Sequence, residues 1–185
     1  MGKNLNLLDK AKDIQKALDA EAYLSALALA LSLPDVMAQV EYPELIGKGK
    51  VRARYVKWMN EFFIPEEQST PKPTSEASEQ LLNLEHDMDG EFYFALRNAI
   101  LHSGNNDMGE CAAPLDFKLS LSDSSVISVV GKDGGPYFRS AILSVPDFCY
   151  KMAASAEWTY DYYSTKPDCK QRLEDSEIRI VNFEE

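Results

Sequence analysis

The spacing of apolar residues changes near residue 115, and that change points to a fold whose helices and strands occupy separate stretches of the chain. Upstream, apolar side chains recur every three or four residues. Leu8, Ala11, Ile14 (or Gln15) and Leu18 mark one face of a helix over about 5–19. Glu21 to Leu33 is so rich in Ala and Leu that its helix is expected to be buried nearly all round. Ser32-Leu33-Pro34-Asp35 reads as an interruption, with Pro34 in the first turn of a new helix over about 34–42. Val51, Tyr55, Trp58, Met59 and Phe62 mark a core face over about 50–64. Pro65 to Ser78 reads as a solvated loop, followed by a short helix over about 75–84. Asp89-Gly90 opens a further helix with Phe92, Leu96, Ala99, Ile100 and Ser103 along one stripe, ended by Gly104-Asn105-Asn106.

Downstream the pattern shortens. Phe117–Leu121 and Val126–Val130 flank a Ser-Asp-Ser-Ser turn and read as a β-hairpin. Asp133-Gly134-Gly135-Pro136 leads to a third strand around Tyr137 to Leu143. Pro146-Asp147 opens an aromatic-rich helix to about Tyr163, and Ile178 to Phe183 is a last strand suited to join the small sheet. The expected class is α+β, mainly α: a bundle of four to five helices, a small antiparallel sheet and a further helix toward the C-terminus. The 185 residues suggest one domain over 1–185, with a helical core over about 5–105 and an extension over about 115–185.

Charge and cysteine content narrow the chemistry. A formal net charge of -11 opposes nucleic-acid binding unless cations are concentrated locally. Lys48, Lys50, Arg52, Arg54 and Lys57 form the one such concentration, with Lys50, Arg54 and Lys57 on one helical stripe. They suit a phosphate track equally as well as a solvated helix face. Cys111, Cys149 and Cys169 lack Cys-x-x-Cys spacing and read as reduced thiols, so the expected location is cytoplasmic. No signal peptide is expected, and the apolar run Ala22–Leu33 is short of the ~20 residues of a membrane span. Two histidines without ligand-spaced partners give no metal site, no phosphate-binding glycine loop is present, and no cofactor is expected.

The most informative cluster is Arg97-Asn98-Ala99-Ile100-Leu101-His102, at the expected end of a helix. Arginine is a permanent cation able to hold a phosphate bidentately, and histidine moves protons near neutral pH. On a regular helix the two side chains leave the axis about 140° apart. Asn98 and His102, four apart, share a face, which allows the amide to fix the imidazole. Bringing Arg97 to the same point requires a loosened helix end or a second copy of the motif across a two-fold axis. The ordinary alternative is a surface arginine and a helix-end histidine favoured by the macrodipole.

Arg97-Asn98-x-x-x-His102 resembles the Arg-polar-x-x-x-His signature of the HEPN superfamily (higher eukaryotes and prokaryotes nucleotide-binding domains). The stretch Ala26 to Asp35 and the Tyr55-x-x-Trp58 helix are similar to a bacterial, often plasmid-borne, branch of HEPN nucleases. The likeness covers about residues 15–105. It implies a HEPN-like bundle and metal-independent RNA cleavage by a homodimer, in defence, toxin–antitoxin or stress systems, with an antitoxin or regulatory protein as a further partner and no membrane. His102 would then be general base or acid, Arg97 would hold the scissile phosphate, and Asn98 would orient His102 or touch the phosphate. Asp35 and Glu41 are candidates for acidic neighbours of the motif, although helix capping suits Asp35 better. His86 reads as a loop residue, and Trp158, Tyr160, Tyr162 and Tyr163 suit base stacking, a core or a dimer seam. The alternative function is a non-catalytic HEPN-fold module for nucleic-acid binding or protein interaction.

Overall fold

A computed structural model describes residues 3–64, 88–104, 108, 115–130 and 138–180. The expected loop after Pro65, the helix over 75–84, His86, Cys111 and the turn at 133–136 lie outside them. The chain divides into two compact units, Met1–Arg54 with Cys149–Glu185, and Tyr55–Phe148. That division cuts across the expected one, a core over about 5–105 with an extension after it.

The first unit joins the two ends of the chain. Strand β1 (Lys3–Leu5) leads into α1 (Leu7–Asp19), and α2 (Tyr23–Glu41) follows. Asn6 and Asp9 cap α1 reciprocally, each side chain accepting from the other's backbone N–H at 3.1 Å. Leu7, Ala11, Ile14 and Leu18 are its buried face, so the expected stripe holds except that Leu7 replaces Leu8. The expected break at Pro34 does not occur: α2 runs through it for 19 residues. An interior proline costs roughly 3 kcal/mol. Leu31, Leu33, Met37 and Ala38, all buried to within 1 % of completely, outweigh that cost from both sides of it. At this length α2 is long and apolar enough to cross a membrane, with half of its most apolar window buried inside the protein.

Helix α3 (Val51–Trp58) begins in the first unit after a 3₁₀ turn at Pro43–Leu45. Arg54 is only 6 % exposed; its Nε donates to Asp35 Oδ1 at 2.7 Å and its Nη1 to the Leu45 carbonyl at 3.2 Å. Asp35 is therefore neither a cap nor a separate acid but the partner that fixes α3 and the 3₁₀ turn to α2. From the other end of the chain, helix α6 (Pro167–Asp175), not foreseen from the sequence, sends Arg172 to α2. Its Nε donates to the Val40 carbonyl at 2.7 Å, supplying the cation that the last turn of α2 lacks. Strand β5 (Ile178–Ile180) does not return to the small sheet as expected; it pairs antiparallel with β1 in a sheet of its own.

Cys149 opens the C-terminal part of this unit and is fully buried. Burial pushes its thiol from an ordinary 9.0 up to about 12. The unfolded chain therefore loses this proton first as pH rises. The group's contribution to stability is full below about pH 9 and falls by about 1.4 kcal/mol per pH unit above it until the folded thiol titrates. Urea unfolding at about pH 8 and about pH 10 should show wild type losing about 1.4 kcal/mol more than Cys149→Ala. Equal losses would contradict the assignment.

The second unit holds the end of α3, helix α4 (Gly90–Asn98) and three strands, β2 (Leu115–Ser120), β3 (Val126–Val130) and β4 (Phe138–Ser144). The expected hairpin is absent. The order is β2-β4-β3, with β2 parallel to β4 and β3 antiparallel to it, so the sheet is mixed. Leu121–Ser125 bridges from β2 to β3 past the end of β4 instead of turning tightly. Its serines explain how: Ser144, the last residue of β4, donates its hydroxyl to the Ser122 carbonyl and its N–H to Ser125 Oγ. The same hydroxyl accepts from Asp147 N–H and so caps α5 (Val145–Ser164). The core here is aromatic, with Tyr93 stacked on Phe148 at 5.4 Å and Phe63 edge-on to both.

Candidate active site at a π turn

Helix α4 is fixed at its start by three contacts. Asp89 accepts from the N–H groups of Glu91 and Phe92, as the expected helix opening requires. Gly90 N–H donates to Asn60 Oδ1 at 2.7 Å. A Cβ at Gly90 would lie 2.6 Å from the Val56 carbonyl oxygen, so the backbones touch where only glycine fits. Phe92, Leu96, Ala99 and Ile100 are buried as expected, and Ser103 is exposed.

Both helices end in the same uncommon way. Helix α3 passes into a π turn at Met59–Phe63, and α4 into one at Ala99–Ser103. In the second, Gly104 N–H donates to the Ala99 carbonyl five residues back, and Gly104 adopts the left-handed conformation (φ 67°) that stops the chain. An i→i+5 turn is wider than an α turn, which narrows the angle between residues five apart. Arg97 and His102 are five apart, and the widened turn begins between them.

The three motif residues differ in setting. His102 is exposed; Arg97 and Asn98 are half-buried. Arg97 Nη1 donates to Asn98 Oδ1 at 3.0 Å, so the amide is joined to the arginine and not to the imidazole. The guanidinium carbon lies 6.0 Å from the Tyr55 ring centre and 5.9 Å from that of Phe94, and these two rings meet edge to face at 5.4 Å. Rings at that distance favour a cation and restrict its motion. The Arg97 Nε–H is buried with no acceptor among the described residues. Tyr55 and Phe94 were not singled out as site residues from the sequence. The i, i+3 spacing of Phe94 and Arg97 is the one signal that could have found Phe94.

The expected phosphate track does not form as a set. Arg54 is drawn inward to Asp35, and Lys50 Nζ donates to the Glu44 carbonyl at 2.8 Å. Lys57 is half-buried. Glu41 ends α2 and exerts its field on Lys166. Among the described residues no three His, Cys, Asp or Glu side chains are placed to share a metal ion. What the arrangement offers chemically is a cation fixed against two rings and an exposed imidazole one widened turn beyond it. Comparison with protein-family models, curated proteins and solved structures finds no match to this chain.

Proposed function

We propose that this chain is a metal-independent endoribonuclease of HEPN type that acts as a homodimer in the cytoplasm, in a bacterial defence, toxin–antitoxin or stress role. The π turn at Ala99–Ser103 carries the reading, because it supplies the loosened helix end that the five-residue spacing of Arg97 and His102 requires. In this mechanism His102 accepts the proton of a ribose 2′-hydroxyl or delivers one to the leaving 5′-oxygen. Arg97, held by Asn98 and by the Tyr55 and Phe94 rings, stabilises the negative charge that grows on the phosphate. A second copy of the motif across a two-fold axis supplies the other proton-transfer group. The products are a cyclic phosphate and a free 5′-hydroxyl, so the reaction needs RNA.

Labelled RNA incubated with the purified chain in EDTA tests this. Cleavage should persist, leave a cyclic phosphate and spare an all-deoxy substrate. His102→Ala should slow it by about 10²–10⁴-fold, and Arg97→Ala by about 10²–10³-fold. A second reading is a non-catalytic HEPN-fold module for nucleic-acid binding or protein interaction, and the net charge of -11, which weakens unspecific RNA binding, favours protein interaction. Failure of the wild-type chain to cut any of a broad set of RNAs selects that reading.

A further inference from the structure

The solvent face of α5 combines aromatic and acidic groups in a way that RNA cleavage does not use. Trp158 is 52 % exposed and Tyr162 38 %, yet their rings stack nearly parallel, 9° apart at 5.2 Å. Lys166 sets its ammonium 3.8 Å from the centre of the Tyr162 ring, so this pair already accepts a cation from its own chain. Glu157 and Asp161 each precede one of the aromatics. Both are exposed, and four residues apart they are neighbours on the helix surface. Neither has an ion-pair or hydrogen-bond partner among the described residues. Two adjacent carboxylates repel each other, and an exposed aromatic stack retains an unfavourable hydration cost; one type of ligand relieves both.

We propose that this face of α5 is a docking site for an arginine- and lysine-rich segment of a partner protein. A guanidinium laid on the Trp158 indole reaches carboxylates on the adjacent helical row and meets a chain whose net charge is -11. The same acids oppose a phosphate backbone, which argues against base stacking here. The inference does not depend on the nuclease reading.

A hepta-arginine peptide titrated into the full-length chain tests it by tryptophan fluorescence. Trp58 is fully buried, so a change in emission reports Trp158. Binding should change that emission and weaken with added salt. Read by the fluorescence anisotropy of a dye-labelled copy of the peptide, which needs no tryptophan, Trp158→Ala should abolish binding, and Glu157→Gln with Asp161→Asn should weaken it about tenfold with the near-ultraviolet circular dichroism of the double variant unchanged. The proposal is overturned if the peptide leaves the emission unchanged or binds both variants as tightly as wild type. It is equally overturned if oligouridylate, and not the peptide, quenches Trp158.

Discussion

Asp35→Ala should destabilise the unit built from the two ends of the chain by up to about 3–5 kcal/mol, the range for removing one member of a buried ion pair, Arg54 being enclosed and Asp35 one-fifth exposed. The reason lies in what remains. Arg54 stays 6 % exposed, with its Nε donor left without the carboxylate 2.7 Å away. The Leu45 carbonyl still accepts from Nη1, but a neutral acceptor does not balance a buried charge. Asp35→Leu combined with Arg54→Met should recover most of the loss, because two apolar side chains of similar volume leave no charge behind. Urea unfolding followed at Trp158, which lies in this unit, reads the effect. A single-variant loss below about 1 kcal/mol would show that water relieves Arg54 where the structure has it enclosed.

Gly90→Ala should cost about 3 kcal/mol, at the upper end of what overpacking does. Helix propensity alone gives the opposite sign, since alanine is favoured over glycine by about 1 kcal/mol within a helix. The added Cβ would sit 2.6 Å from the Val56 carbonyl oxygen and 2.9 Å from its Cα, and backbone atoms cannot swing aside. Either α4 moves away from α3, breaking the Gly90 N–H to Asn60 bond, or the unit loses stability. Movement would also shift Arg97, two turns along the same helix, away from the Tyr55 ring. Unfolding followed at Trp58 reads the stability, and RNA cleavage by the folded fraction reads the displacement. A stabilised Gly90→Ala variant would show that propensity, not the helix contact, governs this position.

Much of this was legible in one dimension. The period of the apolar residues gave α1, α3 and α4 nearly to their ends, because one buried face per helix writes its spacing into the sequence. Asp89 and Gly104 announced the two ends of α4 through local rules for caps and left-handed residues. The motif itself, with its awkward five-residue spacing, pointed to a loosened helix end, and a π turn is what the chain forms there.

The misreadings share a cause. Pro34 looked like a stop because the local cost of an interior proline is visible, whereas the burial that offsets it is not. Ser122–Ser125 looked like a hairpin turn because nothing near it reveals that β4, still to come in the chain, lies between β2 and β3. Arg54 suited a phosphate track or a solvated helix face, and neither reading reveals Asp35, 19 residues earlier, which is its partner only in three dimensions.

The sequence by itself determined the courses of α1, α3 and α4, where α4 starts and stops, and which three residues are the candidates for chemistry, since these depend on neighbours within a few positions. Only the tertiary structure decided that Asn98 holds Arg97 and not His102, that Tyr55 and Phe94 back the guanidinium, and that Trp158 and Tyr162 remain at the surface while Tyr163 is buried. Those outcomes follow from competition among distant groups for one acceptor, one ring face or one place in the core, and local spacing contains no information about the competitors.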